Sequence, residues 1–171
     1  MIVGIDNGLD GGLCAISSRG AKIVDKIAMP TFQRSKKREI DILAVKLWID
    51  GLEDFTNIRP ILAIEEPLAH AKSSQAVRSM ALSFGKLVGM AETAEFKTHR
   101  ISVYAWQKYM LGARPKGQTK IRALEVASTL VPNENWLKNK RCRTPHDGMV
   151  DAYLISMYLY QKGVFEKSLK I

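Results

Sequence analysis

The chain contains only two cysteines, Cys14 inside an apolar run and Cys142 in a basic stretch. They supply neither a disulfide framework nor a paired-cysteine zinc site, which fits a reducing compartment. Long apolar runs are missing too, and none approaches the roughly 20 residues that a membrane span needs. The first residues, Ile2-Val3-Gly4-Ile5, read as a strand rather than a basic leader. The expectation is a soluble, cytoplasmic protein with no membrane partner. Internal repeats, low-complexity tracts and linkers are also lacking, so residues 1–171 read as one globular domain. Acid is scarce: 17 Asp and Glu stand against 26 Lys and Arg, a net charge of +9. Such a surface attracts polyanions, nucleic acid first and anionic membrane second.

What is present divides cleanly into strands and helices. Ile2 to Ile5 runs into Asp6, and the turn residues Asn7-Gly8 and Gly11-Gly12 lead to a second apolar run, Leu13 to Ser17. Arg19-Gly20 turns the chain into Ala21 to Met29, so the opening is a three-stranded antiparallel meander. Thr31 to Glu39, with Arg34, Lys36, Lys37 and Arg38, reads as a mobile, solvated loop. Ile40, Leu43, Leu47 and Leu52 recur at helical spacing to Phe55, with Trp48 alongside. Pro60 then opens a buried strand, Ile61 to Ile64, ending in Glu65-Glu66. Ser73 to Glu95 is one long helix, whose Gly85 and Gly89 permit close packing. Arg100 to Tyr104 reads as a strand, Ala105 to Leu111 as a short helix, and Thr119 to Leu130 as a helix with Thr119 at its N-cap. Pro145 and Asp147 announce a last helix to about Lys162, with Ala152, Ile155 and Leu159 inward. This order predicts an α/β fold, a mixed sheet with an antiparallel three-stranded start and parallel additions, flanked by helices.

Four acids fall at element ends. Asp6 and Glu65 each follow an apolar strand, where a side chain first escapes the sheet. Asp147 and Asp151, four apart at a helix start, share one helix face. Each alone could be a turn former, a cap or a surface charge. Together they describe one cluster of hard oxygen donors, which selects Mg²⁺ or Mn²⁺ over zinc. Two such ions would activate a water and stabilise a leaving oxygen at phosphorus. Glu66 competes with Glu65 for the second place, and adjacency to Ile64 favours Glu65.

The segments Ile2-Val3-Gly4-Ile5-Asp6-Asn7-Gly8, Ala63-Ile64-Glu65-Glu66 and His146-Asp147-Gly148-Met149-Val150-Asp151-Ala152 resemble the three acidic motifs of RuvC-like Holliday-junction resolvases, within the RNase H-like superfamily. The resemblance implies an RNase H-like sheet and two Mg²⁺ ions per site, with Mn²⁺ as the alternative, held by Asp6, Glu65, Asp147 and Asp151. It implies a structure-selective endodeoxyribonuclease that resolves four-way DNA junctions by paired nicks. The alternative is another RNase H-like nuclease acting on branched DNA, flaps or RNA/DNA hybrids. Bacterial resolvases space their last two metal-side residues three apart, whereas Asp147 and Asp151 are four apart, closer to phage and organellar relatives. Gly148 fills the three-apart position without a ligating group, and His146 is the substitute for Asp147.

The family also places a basic residue at the scissile phosphate, within a stretch resembling Val103 to Lys120. Lys120 is the candidate, with Lys108 and Lys116 as alternatives. Arg34, Lys36, Lys37, Arg38, Lys108, Lys116, Lys138, Lys140, Arg141 and Arg143 are the expected DNA-backbone contacts. A two-fold symmetric junction calls for a symmetric homodimer, and the helix from Ser73 to Glu95, with Met80, Leu87 and Met90 beside Ala81, Gly85 and Gly89, is the candidate interface. The expected compartment is then the nucleoid or the cytoplasm of a phage-infected cell, with an organellar matrix as the alternative.

Overall fold

The computed structural model describes residues 1–35, 37–67, 74–113 and 117–164. A five-stranded mixed sheet forms its centre. Strands β1 (Ile2–Asp6), β2 (Gly12–Ile16) and β3 (Ile23–Ala28) make the antiparallel meander. A short hairpin, β4 (Thr31–Arg34) and β5 (Lys37–Ile40), and the helix α1 (Ile42–Thr56) follow. Strand β6 (Ile61–Glu65) then pairs parallel to β1, and β7 (Thr98–Ile101) pairs parallel to β6 across the helix α2 (Ser74–Thr93). The order in the sheet is β3-β2-β1-β6-β7. Helices α3 (Val103–Leu111), α4 (Thr119–Leu130) and α5 (Asp147–Gln161) complete the chain. Among the described residues no helix is long and apolar enough to cross a membrane.

Strand alternation sorts the core into two layers. Ile2, Cys14, Ile16 and Ala63 face α3, α4 and α5, where they meet Trp106, Ala123, Tyr153 and Ile155. Val3, Ile5, Leu13, Ala15, Leu62 and Ile64 face α1 and α2, where they meet Val45, Ile49 and Leu87. Neighbouring residues of one strand thus serve opposite layers. That is why the strands read as continuous apolar runs.

Four sequence expectations change. The Thr31–Glu39 segment forms a hairpin rather than a loop, with Phe32 opposite Glu39 and Gln33 opposite Arg38. Its residues are mostly solvent-facing, so no apolar alternation marks it; ion pairs from Arg38 to Asp10 and from Lys86 to Glu39 pin it to the body. Helix α1 buries Val45, Ile49 and Leu52 while Leu43 and Leu47 are 65% and 61% exposed. Its apolar residues spread wider than the stripe that the sheet covers. The strand expected at Arg100–Tyr104 ends at Ile101, and α3 starts at Val103, because Trp106 and Met110, four residues apart on one helix face, are drawn inward. The β-propensity of Val103 and Tyr104 yields to that burial. Thr119 is the first helical residue of α4, whose N-cap is Gln118.

On α2, Leu87 is buried against the sheet and Met90 packs beside it. Ala81, Leu82, Gly85 and Gly89 face solvent, and nothing lies within 4 Å of a side chain built at either glycine.

Candidate active site

Parity places the first two acids. Asp6 shares its strand face with Ile2, and Glu65 with Ala63, so both point toward the α5 layer. In the parallel register Ile5 lies opposite Ile64, which makes Asp6 and Glu65 the next residues along. Glu66 falls outside that parity. Its backbone N–H instead donates to Ile101 O at 2.8 Å.

Glycines bring in the other two acids. A Cβ at Gly4 would meet the Ala152 carbonyl at 2.1 Å, and one at Gly12 would meet the Gly148 backbone at 2.8 Å. A Cβ at Gly148 would stand 2.3 Å from Gly11 carbonyl carbon. Helix α5 therefore lies directly on β1 and on the turn that follows Asp6. This close approach shuts the three-apart position: no side chain fits at residue 148, so Asp147 and Asp151 are the acids that α5 can offer. His146 caps the same helix, its Nδ1 accepting the Met149 N–H at 3.3 Å. Burial, and then Lys138, lower its pKa, consistent with a neutral imidazole acting as acceptor.

Burial, and then one another's charge, makes these acids hard to ionise. Asp6, Glu65 and Asp151 are half-buried. Burial raises Asp6 to about 6 against the opposing pull of the Gly8 N–H and Lys120, with Asp10 and Asp147 adding repulsion. Burial and then the charges of Asp6 and Asp151 raise Glu65 to about 8. Asp151 rises to about 7 from burial and then from Asp6 and Asp147. The cation among them is Lys120, at the start of α4, whose Nζ donates to Asp147 Oδ2 at 2.5 Å. That bond raises the lysine pKa above its ordinary value.

In chemistry this donor set fits a hard divalent cation: carboxylate oxygens whose mutual repulsion a second positive charge would relieve. In distance it is still open. Among the described residues no three His, Cys, Asp or Glu side chains stand close enough to enclose one ion. The two observations concern different degrees of freedom. Backbone register and helix packing fix which carboxylates share the rim, whereas their final approach depends on side-chain torsions, which turn far more readily.

Three residues that sequence reasoning passed over support the rim. Asn7 is 2% exposed, and its Nδ2 donates to the Glu65 carbonyl oxygen. Trp106 is fully buried, and its indole N–H donates to Glu65 Oε1 at 2.6 Å. Asp10, in the β1–β2 turn, accepts from Arg38 at 2.6 Å and ties the basic hairpin to the rim. A tryptophan inside a helix normally reads as core, and an Asn-Gly pair as a turn; neither carries a signal of what it will touch.

Most of the described basic candidates fall in two regions. Arg34, Lys37 and Arg38 sit on the β4–β5 hairpin, while Lys138, Lys140, Arg141 and Arg143 are exposed on the segment that leads into His146. Lys108 lies on α3, with its Nζ 5.7 Å from the Tyr104 ring centre. Lys36 and Lys116 lie outside the described residues.

No protein-family model matches this chain, and no curated protein matches it. Among solved structures it is similar to T. thermophilus RuvC in complex with a Holliday junction substrate, at 12% identity over 95% of each chain and a TM-score of 0.60. It is also similar to another Thermus thermophilus RuvC structure, at 13% identity over 95% of this chain and 96% of that one, with a TM-score of 0.57. The fold is therefore the RuvC-like form of the RNase H-like sheet.

Proposed function

We propose that this chain is a structure-selective endodeoxyribonuclease that resolves four-way DNA junctions by paired phosphodiester cuts. The observation that carries the reading is the carboxylate rim of Asp6, Glu65, Asp151 and Asp147 at the ends of β1 and β6 and the start of α5, with Lys120 among them. The solved complex of a similarly folded protein with a Holliday junction substrate supports the choice of DNA.

The four carboxylates would hold Mg²⁺ or Mn²⁺, which supplies an activated water and charge stabilisation at phosphorus. The chain's own residues do the rest. Asp6 is oriented by the Gly8 N–H, which donates to its Oδ1 at 3.0 Å. Glu65 is oriented by Trp106 and Asn7. Lys120, 75% exposed along its side chain, is free to swing from Asp147 to a phosphate oxygen. In the balance of the reaction, water oxygen forms the new bond to phosphorus and one ester oxygen leaves with a proton. The cations of the hairpin and of residues 138–143 would hold the sugar-phosphate backbone, which positions DNA without reading its sequence.

Paired cuts in a two-fold symmetric substrate call for two copies of the site, and the proposed assembly is a homodimer. The open face of α2 at Ala81, Leu82, Gly85 and Gly89 is the surface offered for it. The proposed location is the cytoplasm.

The test is Mg²⁺-dependent cleavage of a synthetic four-way junction beside linear duplex, flap and RNA/DNA hybrid. Wild type should place symmetric nicks in the junction, and Asp6→Asn and Glu65→Gln should bind the junction without cutting it. Preferential cutting of flap or hybrid would replace the resolvase reading by a sister nuclease activity. Cutting by Asp6→Asn at the wild-type rate would refute the site.

A further inference from the structure

Glu65 is held twice by uncharged donors. Asn7 Nδ2 takes its backbone oxygen and Trp106 Nε1 takes its Oε1, the latter at 2.6 Å. The second bond follows from the fold: Glu65 pairs with Ile101 at the end of β7, and five residues later α3 turns Trp106 into the core beneath it. An indole has one N–H and no acceptor, so it can neither ligate an ion nor move a proton in the reaction. What it can do is hold a carboxylate still. Trp106 has no exposed surface and packs in the layer with Tyr153 and Ile155, so its ring does not follow a rotation of the Glu65 carboxyl group.

We propose that Trp106 is a positioning residue that fixes the rotation of Glu65, occupying Oε1 and leaving Oε2 to face the ion, and that it thereby biases the site toward Mg²⁺ over Ca²⁺. The inference rests on the reading of the rim as a divalent-cation site. Mg²⁺ demands near-octahedral geometry and takes carboxylate oxygens singly, while Ca²⁺ accepts both oxygens of one carboxylate in a looser shell. A donor fixed on one oxygen disfavours the second mode. Residues that orient a ligand from behind typically change metal affinity by about 10–100-fold when removed.

Trp106→Phe keeps an aromatic ring in the core and removes the donor. Titrated with MgCl₂ alone in calorimetry, this variant should bind about tenfold more weakly than wild type. With CaCl₂ alone the loss should be smaller, so that the Mg²⁺ to Ca²⁺ affinity ratio falls. Wild-type protein provides a second measurement that does not depend on the variant folding. The chain has three tryptophans, and their indole N–H groups differ: that of Trp48 donates to Asp25, and that of buried Trp136 has no partner among the described residues. In a ¹⁵N–¹H spectrum the Trp106 indole peak, assigned by elimination with Trp48→Phe and Trp136→Phe, should shift on Mg²⁺ addition while the other two stay. A Trp106→Phe protein with wild-type affinity and ratio, or a Trp106 indole peak unmoved at saturating Mg²⁺, would overturn the proposal. Neither measurement uses DNA. Wild type that binds Mg²⁺ yet cuts no branched DNA would remove the nuclease reading and leave this one standing.

Discussion

Asp6→Asn should make the metal-free protein more stable while removing its proposed activity. Burial first, then nearby acids, raise Asp6 from its ordinary 3.8 to about 6. At about 1.36 kcal/mol per pKa unit, the ionised carboxylate costs about 3 kcal/mol of folding free energy when fully charged. Asparagine keeps the oxygen that accepts the Gly8 N–H and carries no charge. The sign follows from proton binding: the folded chain holds protons on Asp6, Glu65 and Asp151 that the unfolded chain has already released. Stability of wild type therefore falls as pH rises from about 4 to 8. Below pH 4 these groups are neutral in both states and the penalty vanishes. In chelator at pH 8, Asp6→Asn should be more stable than wild type by about 1–3 kcal/mol, a rise in thermal midpoint of roughly 2–10 °C for a chain of this size. The gain should shrink toward pH 4, and Mg²⁺ should stabilise wild type at pH 8 more than it stabilises the variant. Urea and thermal unfolding at pH 4 and pH 8, with chelator and with Mg²⁺, measure all of this. A variant less stable than wild type at pH 8 in chelator, or a wild type equally stable at both pH values, would refute the argument.

Two further outcomes are expected. Gly148→Ala drives a methyl group to 2.3 Å from the Gly11 backbone, where no flexible side chain can yield; it should destabilise by about 1–3 kcal/mol and lower Mg²⁺ affinity with it. An unchanged thermal midpoint would mean that α5 does not rest on the turn after Asp6. Replacing Lys140, Arg141 and Arg143 together by Ala should weaken junction binding and flatten its dependence on salt, by about 0.9 in log-log slope for each phosphate that these cations neutralise in wild type. Equal slopes in a filter-binding series would take DNA away from that segment.

Much of the architecture was legible because burial writes directly into composition. The strands at Ile2–Asp6 and Ile61–Glu65 are apolar on both faces and lie between turn residues, and α4 begins and ends where its spacing and Pro132 require. Where the reading failed, burial left no such mark. The hairpin at Thr31–Ile40 is mostly exposed and takes its order from partners far along the chain, Asp10 and Lys86. Helix α1 carries more leucine than the sheet can cover, so no count of apolar positions reveals that Leu43 and Leu47 are left out. Trp106 looks like any core aromatic, and only the packing of α3 under β6 turns its N–H toward Glu65.

The sequence alone determined which groups are available: four carboxylates at element ends, a surplus of cations, and glycines at positions 4, 11, 12 and 148. These are local properties, written in residue identity and spacing. Which of them come to one rim was set by packing. Strand parity chose Glu65 over Glu66, and glycine-to-glycine packing set the height of α5 and closed the position between its two acids. Packing of α4 beside α5 in the same core layer laid Lys120 against Asp147 across 27 residues of chain. Each of these is a distance between segments remote in sequence, fixed by how surfaces fit.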